Sequence, residues 1–157
     1  MSTLNRDPVE NPDNKLILDN YFPYFLGVIA NRWTSSSSRL YLSRFGIGIV
    51  EWRILASLRA LGPATSLDIA NLVGSDPAAI SRGIRQLERQ AHVVPVTGSF
   101  RGRTKPYDLT PSGGALYEEV RKVADARETV LLRDLSKEER DNLLGYLRKI
   151  HKRLGDL

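Results

Sequence analysis

Two short stretches hold the residues best able to bind an anion. SRGIRQLERQ, residues 81–90, carries Arg82, Arg85 and Arg89, and GSFRGRTKP, residues 98–106, alternates Arg101, Arg103 and Lys105 through a glycine-flanked turn. A guanidinium grips phosphate oxygens bidentately and meets a guanine edge in the same way. Residues 81–105 contain five arginines and one lysine against a single glutamate, whereas the whole chain of 157 residues has a net charge of only +5. The rest of the chain is therefore close to balance. An excess of positive charge confined to one region implies an anionic polymer as partner. The plain alternative is a solvated charged face.

Other chemistries find little support. The chain has no cysteine, which excludes disulfides, thiol redox sensing, a cysteine nucleophile and zinc fingers. His92 and His151 are far apart, and no HExxH or carboxylate–histidine cluster is present, so neither a metal nor a cofactor is expected. No nucleophile–base pair, paired-carboxylate signature or phosphate loop suggests an enzyme. The apolar runs are too short to span a bilayer and the N-terminus lacks a basic-then-apolar signal, so the expected location is the cytoplasm, with no membrane partner. A hydrophobic content of 41% with 26% charged residues fits a soluble globular protein.

The basic stretches must be positioned by something. Residues 1–19 are polar, with Pro8 and Pro12, and read as a flexible arm. Tyr21, Phe22, Phe25, Ile29, Trp33 and Leu40 recur at near-helical spacing and predict a helix from about Tyr21 to about Leu42, loosened or kinked at Ser35–Ser38. IVEWRILASLRAL, 49–61, is a compact amphipathic helix stopped by Gly62-Pro63. Thr65 with Asp68 caps the short helix SLDIANLV, which Gly74 ends; Asp76-Pro77 opens the next, AAISRGIRQLERQ. His92–Thr97 and Pro106–Leu109 are strand-like runs around the basic turn, the first an edge strand because of Pro95. Thr110-Pro111 starts a long helix with Leu116, Val120, Val123, Val130 and Leu131 along one side. Ser136 and Glu139 form a capping box for a last helix lined by Leu143, Leu144, Leu147, Ile150 and Leu154.

Residues 65–90 thus read as a helix-turn-helix. At ~100° per residue, Ile80, Ile84 and Leu87 share one face of the second helix, while Ala78, Arg82, Arg85 and Arg89 fall near the opposite one. Such a helix fits a major groove, with long donors for phosphates and guanines and small residues where backbone comes close. Gly83, at the flank of the buried face, points to close helix–helix contact. The following hairpin has the form of a wing, whose arginines can enter a narrow minor groove. The fold class expected is mainly α with a small β-hairpin (α+β).

In order and spacing, EWRILASLRALGPATSLDIANLVGSDPAAISRGIRQLERQ followed by a basic turn and YDLTPSGGALYEEV resembles the MarR family (multiple antibiotic resistance regulators), over about residues 20–157. Trp52, Leu55, Leu58, Ile69-Ala70, Ile80-Ser81-Arg82, Leu87-Glu88, Arg103, Leu109-Thr110 and Gly113 occupy the family's pattern. The resemblance implies a homodimeric winged helix-turn-helix transcription regulator. It would usually be a repressor of genes for aromatic catabolism, drug efflux or stress response, released by a small aromatic or phenolic ligand. It divides the chain into an arm (1–19), a helical dimerisation region (20–46 and 111–157) and a DNA-binding domain (47–110). Two departures stand out: Arg101 replaces the acid that usually braces the wing arginine, and Ala91-His92-Val93 replaces Gly-Leu-Val after the recognition helix.

Candidate contacts to a pseudo-palindromic double-stranded operator are Ser66, Asp76, Pro77, Ala78, Ala79, Ser81, Arg82, Arg85, Gln86, Arg89, Arg101, Arg103 and Lys105. The terminal helices carry apolar stripes at opposite ends of the chain, which predicts a dimer through Tyr21, Phe22, Phe25, Leu144, Leu147 and Ile150. The resemblance implies an effector pocket at the junction of dimer layer and winged helix, which in this sequence would use Asn31, Trp33, Ser37, Arg39, Trp52 and Arg53, aromatic walls with an arginine for a carboxylate. Core packing of both tryptophans, and an Arg53 ion pair with Glu51 or another acid, are the plainer readings. A winged helix serving as a protein–protein or RNA-binding module, without ligand control, is the competing function.

Overall fold

The computed structural model describes residue 18, residues 21–97 and residues 105–156. The order is α1 (Phe22–Phe45), α2 (Ile49–Leu61), α3 (Ser66–Val73), α4 (Pro77–Arg89), β1 (Val93–Pro95), β2 (Tyr107–Leu109), α5 (Pro111–Leu131) and α6 (Lys137–Arg153), with a 3-10 turn at Leu154–Asp156. The α+β class follows as expected. The chain divides into two compact units, Met1–Gly114 and Ala115–Leu157.

In the first unit the helix boundaries have identifiable causes. α1 has Pro23 in its first turn and ends at Gly46, whose φ of 69° lets its N–H reach the Leu42 carbonyl. The predicted weak point at Ser35–Ser38 does not interrupt it: α1 is continuous and runs three residues past Leu42. Ser36 Oγ donates to the Trp33 carbonyl at 3.1 Å, so a hydroxyl is satisfied along the helix rather than against it. The Glu51 carboxylate accepts from the Gly48 N–H at 2.9 Å and caps α2. Thr65 and Asp68 cap α3 reciprocally, with Asp68 N–H donating to Thr65 Oγ1 at 3.2 Å and Thr65 N–H to Asp68 Oδ2 at 2.9 Å. The Thr65 hydroxyl, hydrogen-bonded to the Asp68 carboxylate, holds that carboxyl below its ordinary range.

The core of this unit is Ile54, Leu55 and Leu58 from α2, Ile69 and Ala70 from α3, Ile80, Ile84 and Leu87 from α4, and Val93 from β1, all buried. Each large aliphatic side chain taken from water contributes about 1.5–3 kcal/mol. Gly83 is what lets α4 approach α2 so closely: a Cβ there would lie 2.6 Å from Ile54 Cδ1 and 3.1 Å from Val50 Cγ1. The strands pair antiparallel, Val93 with Leu109 and Pro95 with Tyr107. Tyr107 also exchanges both backbone hydrogen bonds with Ala64, at 2.8 and 3.0 Å. β2 therefore lies between Ala64 and β1, and Pro95 sits on the outer strand, where a missing N–H costs little.

In the second unit α6 opens with the Ser136–Glu139 box, Ser136 N–H donating to Glu139 Oε2 at 2.7 Å and Glu139 N–H to Ser136 Oγ at 3.2 Å. Lys152 and Arg153 place positive charge in its last turn, which suits the negative end of the helix dipole. Val120 of α5 is buried, yet no residue of α6 is.

Candidate nucleic-acid interface

α4 presents two unlike faces. Ile80, Gly83, Ile84 and Leu87 are buried; Pro77, Ala78, Arg82, Arg85 and Arg89 are exposed; Ala79, Ser81 and Gln86 lie between. The helix is thus pinned along one side and offers three guanidinium groups along the other. Pro77 supplies a preset first turn, and the Asp76 carboxylate accepts from the Ala79 N–H at 3.0 Å. Asp76 is a candidate for touching DNA, and its carboxylate here serves as a helix cap. Ser66, half-buried, occupies the first position of α3. Lys105 is exposed just before β2, and Arg101 and Arg103 lie outside the described residues.

The wing strand is joined electrostatically to this helix. Burial, and then the Glu88 carboxylate, push the Tyr107 phenol above its ordinary pKa, while Arg85 pulls it down. No local sequence pattern marks Tyr107; its place between Ala64 and β1 arises only when three distant segments pair.

The sequence also leaves the termination of α4 open, since Ala91 stands where glycine is usual. Ala91 adopts the left-handed conformation anyway, with φ 59°. Its N–H donates to the Glu88 carbonyl at 3.0 Å and the His92 N–H to the Leu87 carbonyl at 2.9 Å, the paired bonds of a Schellman cap. The next turn is tied to the start of α5. Thr110 Oγ1 donates to the Ala91 carbonyl at 2.7 Å and accepts from the Gly113 N–H at 3.0 Å. Thr110 N–H donates to the His92 carbonyl at 3.1 Å, and His92 Nδ1 lies 3.0 Å from Ser112 Oγ. Gly113 is packed so closely that a Cβ would sit 1.9 Å from the His92 oxygen. Thr110 and Gly113 stand out in the sequence as family positions, but nothing local foretells this joint.

Of the proposed pocket residues, Ser37 is buried, Trp33, Trp52 and Arg53 are half-buried, and Asn31 and Arg39 are exposed. Trp52 meets buried Tyr41 edge-on at 6.1 Å, and Tyr41 also lies 6.5 Å from Phe45. Arg53 Nη2 donates to Thr34 Oγ1 at 3.4 Å, bridging α2 and α1. Glu51 is engaged at the α2 cap.

A short helix, a glycine turn, a cation-faced second helix and a following hairpin define a winged helix-turn-helix protein of the kind that reads nucleic acid. The MarR family model matches residues 47–91. A solved MarR/EmrR family transcriptional regulator from Acinetobacter sp. ADP1 superposes with a TM-score of 0.84 at 30% identity, covering 90% of this chain and 100% of the other. Staphylococcus aureus MepR, solved in complex with DNA, superposes with a TM-score of 0.72 at 25% identity over 85% and 96%. An HTH-type transcriptional regulator of Bacillus cereus is 28% identical over 125 residues, 77% of this chain and 83% of its own. The chain belongs to the MarR family of DNA-binding transcriptional regulators. Among the described residues no helix is long and apolar enough to cross a membrane.

Proposed function

We propose that the protein is a cytoplasmic homodimeric repressor that binds a pseudo-palindromic DNA operator and is released by a small aromatic or phenolic ligand. The observation that carries the DNA contact is the division of α4: four buried core positions hold it, and Arg82, Arg85 and Arg89 stand exposed on the other side of the helix. Phosphate-neutralising charge of this density is of little use to a protein-binding wing. Support for the dimer is the apolar surface left open at both ends of the chain. Tyr21, Phe22, Ile29, Leu144 and Leu147 are all exposed, Leu147 by 37% and Ile29 by 53%. Exposed apolar rows of that kind mark an interaction site. A two-fold axis would place two recognition helices on half-sites ~34 Å apart. For the effector, Trp33, Ser37, Trp52 and Arg53 offer aromatic walls and a guanidinium, with Asn31 and Arg39 at the exposed margin.

The test has two arms. Purified protein is used to select duplexes from a randomised pool, with RNA as competitor. Phenolic acids and hydrophobic drugs are then screened for a thermal shift and for release of the selected duplex. Recovery of a two-fold symmetric sequence that RNA does not displace supports the reading. Preference for RNA, or no selected duplex, defeats it in favour of the RNA- or protein-binding alternative.

A further inference from the structure

We infer that Tyr107 is a further DNA-contacting residue, its phenol O–H donating to a backbone phosphate on the strand that runs between α4 and the wing. This rests on the DNA-binding reading above. Its basis is where β2 puts the ring. Val93 pairs with Leu109 and Pro95 with Tyr107, so these four side chains share one face of the hairpin. Val93 is buried, Val94 on the other face is exposed, and β1 packs on α4. Tyr107 therefore faces the recognition helix. Its backbone is held on both sides, by hydrogen bonds to Ala64 and by pairing with β1. The side chain is half-buried, and it reaches far enough to feel Glu88 and Arg85, both on the exposed side of α4. Among the described residues no partner holds its hydroxyl.

A ring packed at its base and open at its hydroxyl carries an O–H at a fixed place on the surface. What meets that O–H follows from the neighbours. Arg85 on α4 and Lys105, exposed two residues before Tyr107, set positive charge on either side of it along the chain. Passing from a major groove to the adjoining minor groove means crossing one sugar–phosphate strand. A group between a major-groove helix and a wing therefore faces phosphates rather than base edges. Tyrosine is among the side chains that donate to phosphate oxygens and so fix register on the duplex. Burial and then the Glu88 carboxylate hold the phenol above its ordinary pKa, against the opposing pull of Arg85, so it keeps the proton that it donates.

The experiment compares wild type with Tyr107→Phe, which removes only the hydroxyl. Fluorescence anisotropy gives Kd on the selected operator and on a scrambled duplex across a salt series. A hydrogen bond to a charged group is worth about tenfold or more in an equilibrium constant. Kd should rise by such a factor on both duplexes, leaving their ratio as it was. The slope of log K against log salt should also stay the same, because a neutral hydroxyl releases no counter-ion. Operators carrying one methylphosphonate at a time then locate the contact: a position in each half-site should weaken wild type but not Tyr107→Phe. Tyr107→Leu, which also lacks the hydroxyl, carries the test if Tyr107→Phe fails to fold. An unchanged Kd overturns the contact. So does a loss confined to the preference at one base pair, since Tyr107 would then act through Arg85, and so does a methylphosphonate profile shared by both proteins. A wild type that selects no duplex defeats the DNA-binding reading itself, and this inference with it.

Discussion

Helices α4 and α6 are built alike and used differently. Both open on a side-chain cap, Asp76 for one and Ser136 for the other, and both carry an apolar row at helical spacing. In α4 the row is buried: Ile80, Gly83, Ile84 and Leu87 find α2 and α3 within the same compact unit. In α6 no position is buried, and Leu143, Leu144 and Leu147 remain exposed. The polar sides differ too. α4 bears three arginines, with Glu88 the one acid, whereas α6 mixes both signs across Lys137, Glu138, Glu139, Arg140, Asp141, Arg148 and Lys149. An apolar row that is satisfied within the chain frees the opposite face for a ligand. On our reading, an apolar row left open is itself a binding surface. On that reading, the same local pattern serves recognition in one unit and assembly in the other.

The sharpest way to break the contrast is to put a charge into the open row. Leu147→Asp, doubled by symmetry, should abolish dimerisation at micromolar concentration in sedimentation, because an unpaired carboxylate in an apolar interface costs several kcal/mol. The chain's helix content should survive, since Leu147 is not part of a buried core. A variant that stays dimeric would mean that α6 is not the interface.

The next largest effect tests the two tight glycines against each other. At Gly113 a Cβ meets backbone, the His92 oxygen, which has nowhere to go; at Gly83 it meets mainly the movable end of Ile54. Gly113→Ala should lose at least ~1–3 kcal/mol of stability through overpacking. Gly83→Ala should lose less, offset by up to ~1 kcal/mol of helix propensity. Urea unfolding of both variants checks the order, and a reversed order would show that the α4–α5 joint is soft.

Arg85→Ala should weaken operator binding by about 1–3 kcal/mol and relax sequence preference at one position in each half-site. Equal weakening on operator and scrambled duplexes would mean that Arg85 holds a phosphate instead. If each subunit then neutralises one phosphate fewer, the slope of log K against log salt becomes shallower by ~1.8. The same titration of Arg103→Ala asks whether the wing neutralises phosphate as well.

The smallest effect runs the other way. Ala91 adopts a left-handed backbone at φ 59° in a Schellman cap. Ala91→Gly should stabilise the protein by about 1 kcal/mol, because the left-handed conformation costs an L-residue roughly that much. Thermal melting decides it, and a destabilised variant would show that the gain is outweighed by glycine's greater unfolded entropy.

Much of the fold was legible because its signals are local. Thr65 with Asp68, Asp76 with Pro77, and Ser136 with Glu139 cap their helices where the sequence places them, and α2 and α3 run over the expected residues. The buried and exposed faces of α4 follow from spacing alone. Ser35–Ser38 misled because weak helix propensity is a small effect beside tertiary packing, and Ser37 and Tyr41 are both buried in that helix. The absence of glycine at position 91 gave no hint of how α4 would stop.

Periodicity and caps, which depend on neighbours a few residues away, determined the helices, the basic face and the open apolar rows. Tertiary structure alone decided what those elements touch. His92 and Ser112 are twenty residues apart, as are the Ala91 carbonyl and the Thr110 hydroxyl to within one, and no spacing rule links them. Tyr107 reaches Ala64 only because the chain from α2 and the returning hairpin meet in one sheet. The reason is physical: a local pattern fixes which way a side chain faces on its own element, but closing a loop of many residues has an entropic cost that the contacts of the whole fold must offset.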